Sequence, residues 1–345
     1  MIDKPTVLVL GAGASVPYGL PLGSELRDRI VSGLSSVRKM EEAARPALVQ
    51  LSGLADVLSQ CGHGHNVIKA LHDVLKAANP RSVDIFLQNN ADYIPIGKHA
   101  IAAILLAREN PDKLMAETTS STDGNNTWYQ YLFYQMDRSL DVFRDAPLTI
   151  VTFNYDRSLE HFLHRRTMAH FGVGVGEARE LLKTKPILHV YGDLGQPRFM
   201  LDDNRRLSAE SLAKLGYQEY IGGEPSSDVV KACGERISIM PERDGGSIAV
   251  IQARAAIEES EVVYFLGCAY HPENVDLLEI HKRFGGSRLL GSGFGLGKDE
   301  RRRAASLFPN VRQSDFPDHP VIRGIWIGEP DVDSLQFLRD YPVFD

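Results

Sequence analysis

The sequence predicts an α/β protein: a Rossmann-like parallel sheet with helices on both faces, plus an inserted all-helical module. Three observations carry this expectation. Short runs of continuous apolar, β-favouring residues recur along the chain, as strands buried on both faces require. Each run stops at glycine or at Asn-x-Asp, a turn signal. Elsewhere the apolar positions switch to helical spacing, and strands alternating with helices give a parallel sheet with right-handed crossovers.

The first strand is Thr6-Val7-Leu8-Val9-Leu10, stopped by Gly11-Ala12-Gly13-Ala14-Ser15. Ser24 is then placed to cap a helix carrying Leu26, Ile30, Val31 and Leu34 on one face. From about residue 36 to 146 only helical spacing is found, including Leu51, Leu54 and Leu58, then Ile96, Ala100 and Ile104. Residues 118–126 read as a polar loop. The strand pattern returns over 148–153, ends at Asn154-Tyr155-Asp156, and precedes a helix with Leu159, Phe162 and Leu163. A third strand, Ile187-Leu188-His189-Val190-Tyr191, ends at Gly192. Residues 193–245 resist assignment. A helix over 248–257 leads to strand Val262-Val263-Tyr264-Phe265-Leu266 and Gly267, and the tail alternates helix (276–284, 300–307) with extended chain (322–327). Residues 1–35 and 147–345 are expected to form the nucleotide-type domain, and 36–146 the insert.

Composition narrows the functional classes. With 345 residues, 43% apolar and 24% charged, the chain is an ordinary globular sequence and not a disordered one. No uninterrupted apolar run reaches membrane-spanning length, and the start is too short for a secretory signal. The net charge of −7 argues against a general nucleic-acid coat. Cys61, Cys233 and Cys268 form no Cys-x-x-Cys pair, so no disulfide framework, no thiolate zinc site and no metal are expected, and a reduced cytoplasmic setting is.

In open parallel sheets ligands bind beyond the carboxyl ends of the strands. The informative residues are therefore Gly11 to Ser15, Asn154 to Asp156, His189 to Gly192 and Gly267 to Asn274. Gly11-Ala12-Gly13 lets backbone approach a ligand and offers N–H groups to a pyrophosphate, although a tight strand-to-helix turn has the same composition. Asp156 beside Asn154 reads either as a helix cap or as a brace for an amide that meets a ribose or a water. His189 and Tyr191 lie two apart on one strand, so their side chains are expected on the same face, with His189 as a core residue or a base. Three features carry no expectation of function. Cys61, His63 and His65 give an incomplete metal set, His161 and His164 read as a solvated helix face, and no Gly-x-Ser-x-Gly elbow is present.

Together these residues resemble a known family. Val9-Leu10-Gly11-Ala12-Gly13-Ala14-Ser15, with Gly19-Leu20-Pro21, resembles the NAD-binding loop of sirtuin-like proteins. Thr152-Phe153-Asn154-Tyr155-Asp156 resembles that family's Thr-x-Asn-x-Asp signature, and His189-Val190-Tyr191-Gly192-Asp193-Leu194 its histidine–glycine segment. Phe265-Leu266-Gly267-Cys268-Ala269-Tyr270 is similar to the late glycine strand beside the adenosine of NAD. Ser82-Val83-Asp84-x-Phe86-Leu87 and Ile96-Gly97-Lys98 resemble the bacterial zinc-free branch, which is associated with NAD hydrolysis in anti-phage defence.

The resemblance implies NAD as substrate, cleaved at the nicotinamide–ribose bond to nicotinamide and ADP-ribose or its cyclic form. It implies Asn154, His189 and Asp156 as the catalytic set. Gly11, Ala12, Gly13, Ala14, Ser15, Tyr191, Gly192, Gly267, Cys268 and Asn274 are the implied NAD-binding residues. A homo-oligomer or a defence partner protein is the implied gate. Two departures from the family pattern leave alternatives open. The deacylases' four-cysteine zinc ribbon is missing, which ranks protein deacylation or ADP-ribosyl transfer last. Tyr191 stands where the family's histidine precedes the glycine, so a regulatory module that binds NAD without turnover remains the alternative.

Overall fold

The computed structural model describes residues 1–35, 53–115, 127–202, 205–239, 247–286, 288–309 and 324–341. Eight strands run in chain order: β1 (Thr6–Leu10), β2 (Leu148–Thr152), β3 (Ile187–His189), β4 (Gln196–Pro197), β5 (Tyr217–Gln218), β6 (Val262–Leu266), β7 (Arg288–Gly291) and β8 (Trp326–Ile327). Six of them form one sheet in the order β3-β2-β1-β6-β7-β8, with every pairing parallel. The short β4 and β5 form a separate parallel pair. The expected α/β sheet is present, and its order reverses between β1 and β6, the switch point where such sheets open a crevice.

Alternation along the strands divides the core between two faces. Val7, Val9, Val151, Val263, Phe265 and Leu289 pack on one face against Ile30, Leu54, Leu71, Ala100, Val230 and Ile257. Leu8, Leu10, Ile150, Tyr264, Leu266 and Leu290 pack on the other against Leu132, Phe133, Phe162, Leu182 and Phe337. Helices therefore cover both faces, and truncating a wholly buried side chain such as Leu8 to alanine costs about 2–5 kcal/mol.

Among the described residues, every element between β1 and β2 after the Gly23–Ser35 helix is helical. These helices contribute to both cores of the sheet, the His65–Ala78 and Ile94–Arg108 helices on one face and Trp128–Tyr134 on the other. Residues 36–52 of the expected insert and the expected loop 118–126 lie outside the described residues.

Several expectations need correction. The first helix begins at Gly23, so Ser24 sits inside its first turn. The expected strand through Tyr191 ends at His189, because the chain turns at Gly192 (φ 79°). The tail helix over 276–284 is two helices, Pro272–Leu278 and Ile280–Arg283, parted at Glu279 (φ 51°). The sequence reading misses β7 and the Ser334–Asp340 helix. Four residues ending in glycine give β7 too little periodicity to read.

Candidate functional site

The register places Leu10, Thr152, His189 and Leu266 in one row at the carboxyl edge of the sheet. Immediately beyond that row opens a cavity of about 600 Å³. Its walls are Gly11, Ala12 and Gly13 after β1, Phe153, Asn154 and Tyr155 after β2, Tyr191 after β3, and Gly267 to Pro272 with Asn274 after β6. Volume and position suit a nucleotide-sized ligand.

The glycine turn is compact. A Cβ placed on Gly11 would lie 2.6 Å from the Gly267 carbonyl oxygen, and Gly267 adopts φ 62° against Ala14. Glycine is thus demanded by the contact between the β1 and β6 turns as well as by any ligand. The Gly11, Gly13 and Ala14 amides donate to Leu266 O, Gly267 O and Gly11 O. Those three N–H groups are spent holding the turn, which corrects the expectation that they offer themselves to a pyrophosphate. Cys268, at the cavity, keeps a neutral thiol because burial pushes its pKa well up.

Asn154 is held from both ends. Its Nδ2 donates to Gly11 O and to Ser15 Oγ, both at 3.0 Å, and its backbone N–H donates to Thr152 Oγ1. A carbonyl only accepts, so the atom facing Gly11 O must be the amide nitrogen. The side chain's Oδ1 is left without a protein donor among the described residues. Ser15 Oγ in turn donates to Asp156 Oδ2 at 2.8 Å, and Asp156 Oδ1 accepts from the Ser158 N–H and hydroxyl. Burial raises the Asp156 pKa, and the bonds from Ser158 and Ser15 offset part of that rise. Tyr129 and Ser158 hydroxyls close the network at 2.7 Å.

The predicted site residues divide accordingly. Gly11, Ala12, Gly13, Asn154, Tyr191, Gly267, Cys268 and Asn274 line the cavity. Ala14, Ser15, Asp156, His189 and Gly192 do not. Ser15, Asp156 and His189 instead surround a void of about 10 Å³ behind Asn154, together with Tyr129 and Glu160. Because β3 ends at His189, the same-face expectation for His189 and Tyr191 fails. His189 turns into that void, while the Tyr191 hydroxyl donates to Asn274 Oδ1 at the cavity.

His189 Nδ1 lies 2.8 Å from Asn154 O, and Nε2 lies 2.7 Å from Glu160 Oε1. Burial alone would pull the imidazole pKa down. The Glu160 charge and hydrogen bond outweigh it, with help from Asp193 and the Asn154 carbonyl, and hold it up at about 9. Asp193 is itself clasped by Arg236, with bonds of 2.7 and 3.1 Å.

Sequence reasoning missed other cavity residues: Arg81, Ser82, Asp84, Ser238, Glu300 and Arg303. The Ser-Val-Asp segment held a signal. Ser82 caps the Val83–Asn89 helix, and Asp84 Oδ1 accepts from Tyr155 OH at 2.6 Å, tying that helix to the turn after β2. His161 and His164 are buried against Phe199 and Tyr220, not solvated, because those two rings, distant in sequence, pack over their helix. Cys61 and His63 bond to Ser227 O and His99. Among the described residues no group of three or more His, Cys, Asp or Glu side chains is placed to hold a metal ion. No described helix is long and apolar enough to cross a membrane. No protein-family model and no curated protein matches this chain.

Proposed function

We propose that this chain belongs to the zinc-free branch of sirtuin-like proteins, binds NAD in the cavity and cleaves its nicotinamide–ribose bond. One observation carries the reading: the Asn154 amide, locked through Nδ2 to two strand-end partners, keeps Oδ1 for a ligand at the switch point of the sheet. An acceptor fixed in that way suits a ribose hydroxyl or an attacking water. Nicotinamide leaves from a cationic pyridinium, takes the bonding electron pair and departs neutral. The ribose carbon left behind is oxocarbenium-like and is captured by water, giving nicotinamide, ADP-ribose and a proton, or by a ribose hydroxyl, giving the cyclic product. The protein's part is to hold the ribose, orient the nucleophile and exclude bulk water. The Gly11–Gly13 turn packed on Gly267, with the Ala12 methyl as its one side chain, gives the pyrophosphate a nearly bare backbone wall, and Tyr191 with Asn274 borders the ribose. A homo-oligomer or a defence partner acting as a gate belongs to the same reading.

A second reading has its own observation. His189 stands behind Asn154 with both nitrogens bonded, so no imidazole base reaches the cavity in this arrangement. That favours a module that binds NAD or ADP-ribose without turnover. Calorimetry and a nicotinamide-release assay on the full chain separate the two. Release that falls at least about a hundredfold in Asn154→Ala supports hydrolysis. Binding without release selects the regulatory module, and no binding removes both.

A further inference from the structure

The NAD reading underlies this inference, which concerns how Asn154 is kept in place. We propose that Glu160 and His189 form a proton-holding pair that positions Asn154, with Glu160 acting through the imidazole. The ring's two partners, Asn154 O and the Glu160 carboxylate, are both acceptors. With Glu160 ionised, and so an acceptor only, both bonds exist together only if both ring nitrogens carry hydrogen, that is, if the ring is an imidazolium. A neutral ring has one N–H and must surrender one of the two bonds.

Every element around the ring supports the cation. Glu160 faces it from the Ser158–Phe171 helix, and Asp193 adds negative charge from the turn after β3. Asp156 lines the same void, its oxygens occupied by Ser15 and Ser158, and Tyr129 reaches in from the Trp128–Tyr134 helix. Among the described residues, the nearby cations are themselves paired: Arg236 is bound to Asp193, and Arg157, which also feels the Glu160 charge, is bound to Glu109. Burial opposes the charge, yet the pKa stands at about 9, well above the ordinary histidine value of 6.5.

Asn154 is thereby fixed at three points. Its carbonyl is anchored to the end of β3 through the ring, its side chain to the end of β1, and its amide N–H to Thr152. Glu160 and His189 are positioning residues: neither lines the cavity, and both set where the ligand's acceptor stands.

The test is calorimetry of NAD binding to the full chain at intervals from about pH 5.5 to 10, for the parent and for Glu160→Gln. The expected parent affinity is level to about pH 8 and falls about tenfold or more as pH passes 9, because the loop loses a charge-assisted bond. In Glu160→Gln the ring loses its counter-charge. The variant is expected to bind at least about tenfold more weakly at pH 8, with its alkaline fall moved toward 6.5. A parent affinity that stays level to pH 10 overturns the proposal without any variant. A folded Glu160→Gln protein with the parent's affinity and pH profile overturns it too, and leaves the NAD reading standing. Absence of NAD binding by the parent at every pH overturns both.

Discussion

On its cavity side Asn154 presents an acceptor without a protein partner, beside glycine backbone and the Tyr191–Asn274 contact. On the opposite side lie Ser15, Asp156, Ser158 and Tyr129, bonded in one chain, and the Glu160–His189 pair, next to a void the size of one water. The front holds a ligand-sized cavity, and the back is filled by side chains whose polar groups are bonded to protein partners. The contrast divides the motif residues into those that can touch a ligand and those that decide where the touching group stands. It also explains why Asp156 and Ser15 recur in the motifs without reaching the cavity. A satisfied buried network rigidifies what it surrounds, whereas a half-satisfied one destabilises it.

The sharpest way to break the contrast is Asp156→Ala. It strands the Ser15 hydroxyl and the Ser158 N–H without their acceptor and leaves the Ser158 hydroxyl only Tyr129, at an expected cost of about 3 kcal/mol in denaturant unfolding, with NAD binding lost as well. Asn154→Ala is expected to do the reverse. It gives up two hydrogen bonds at the edge of the network, about 1 kcal/mol of stability, while nicotinamide release collapses. Equal effects of the two substitutions on stability and on turnover would erase the distinction between front and back.

A pH measurement sharpens the back wall. The His189 pKa is raised on folding from 6.5 to about 9, so its stabilisation is complete below about pH 6.5 and is lost as pH rises through 9. Lys185 titrates in the same window with the opposite sign, because burial lowers its pKa to about 8 and its neutral form favours the folded state. The stability difference between parent and Glu160→Gln removes that contribution. It is expected to be about 2–3 kcal/mol near pH 6.5 and to shrink toward pH 10 in urea titrations. A difference that stays constant over this range would deny the imidazolium. The smallest expected effect is Tyr191→Phe, which loses one bond to Asn274 and should weaken NAD binding severalfold with little change in stability.

Much of the frame was legible in the sequence, for physical reasons that also mark the limits. β1, β2 and β6 are five-residue runs of apolar and β-branched residues at the centre of the sheet, and central parallel strands are covered on both faces. β7, of four residues ending in glycine, carries too little pattern to read, whereas the two-residue β8 at the sheet edge falls within the extended stretch expected over 322–327. Asn154 and the glycine turn were legible because they follow strands directly. His189 misled because strand alternation holds only while the strand continues, and β3 stops on that residue. His161 and His164 misled because their cover, Phe199 and Tyr220, comes from a distant segment. Glu160 gave no signal of its own, since a lone glutamate on a helix is ordinarily solvated.

The central claim is geometric, and a crystal structure of the full chain soaked with NAD tests it most directly. The account expects the pyrophosphate over Gly11–Gly13 and a nicotinamide-ribose hydroxyl within hydrogen-bond reach of Asn154 Oδ1, with the His189 imidazole still bridging Glu160 and the Asn154 carbonyl. NAD bound away from these strand ends, or an imidazole swung out of its void to meet the ribose, would contradict it.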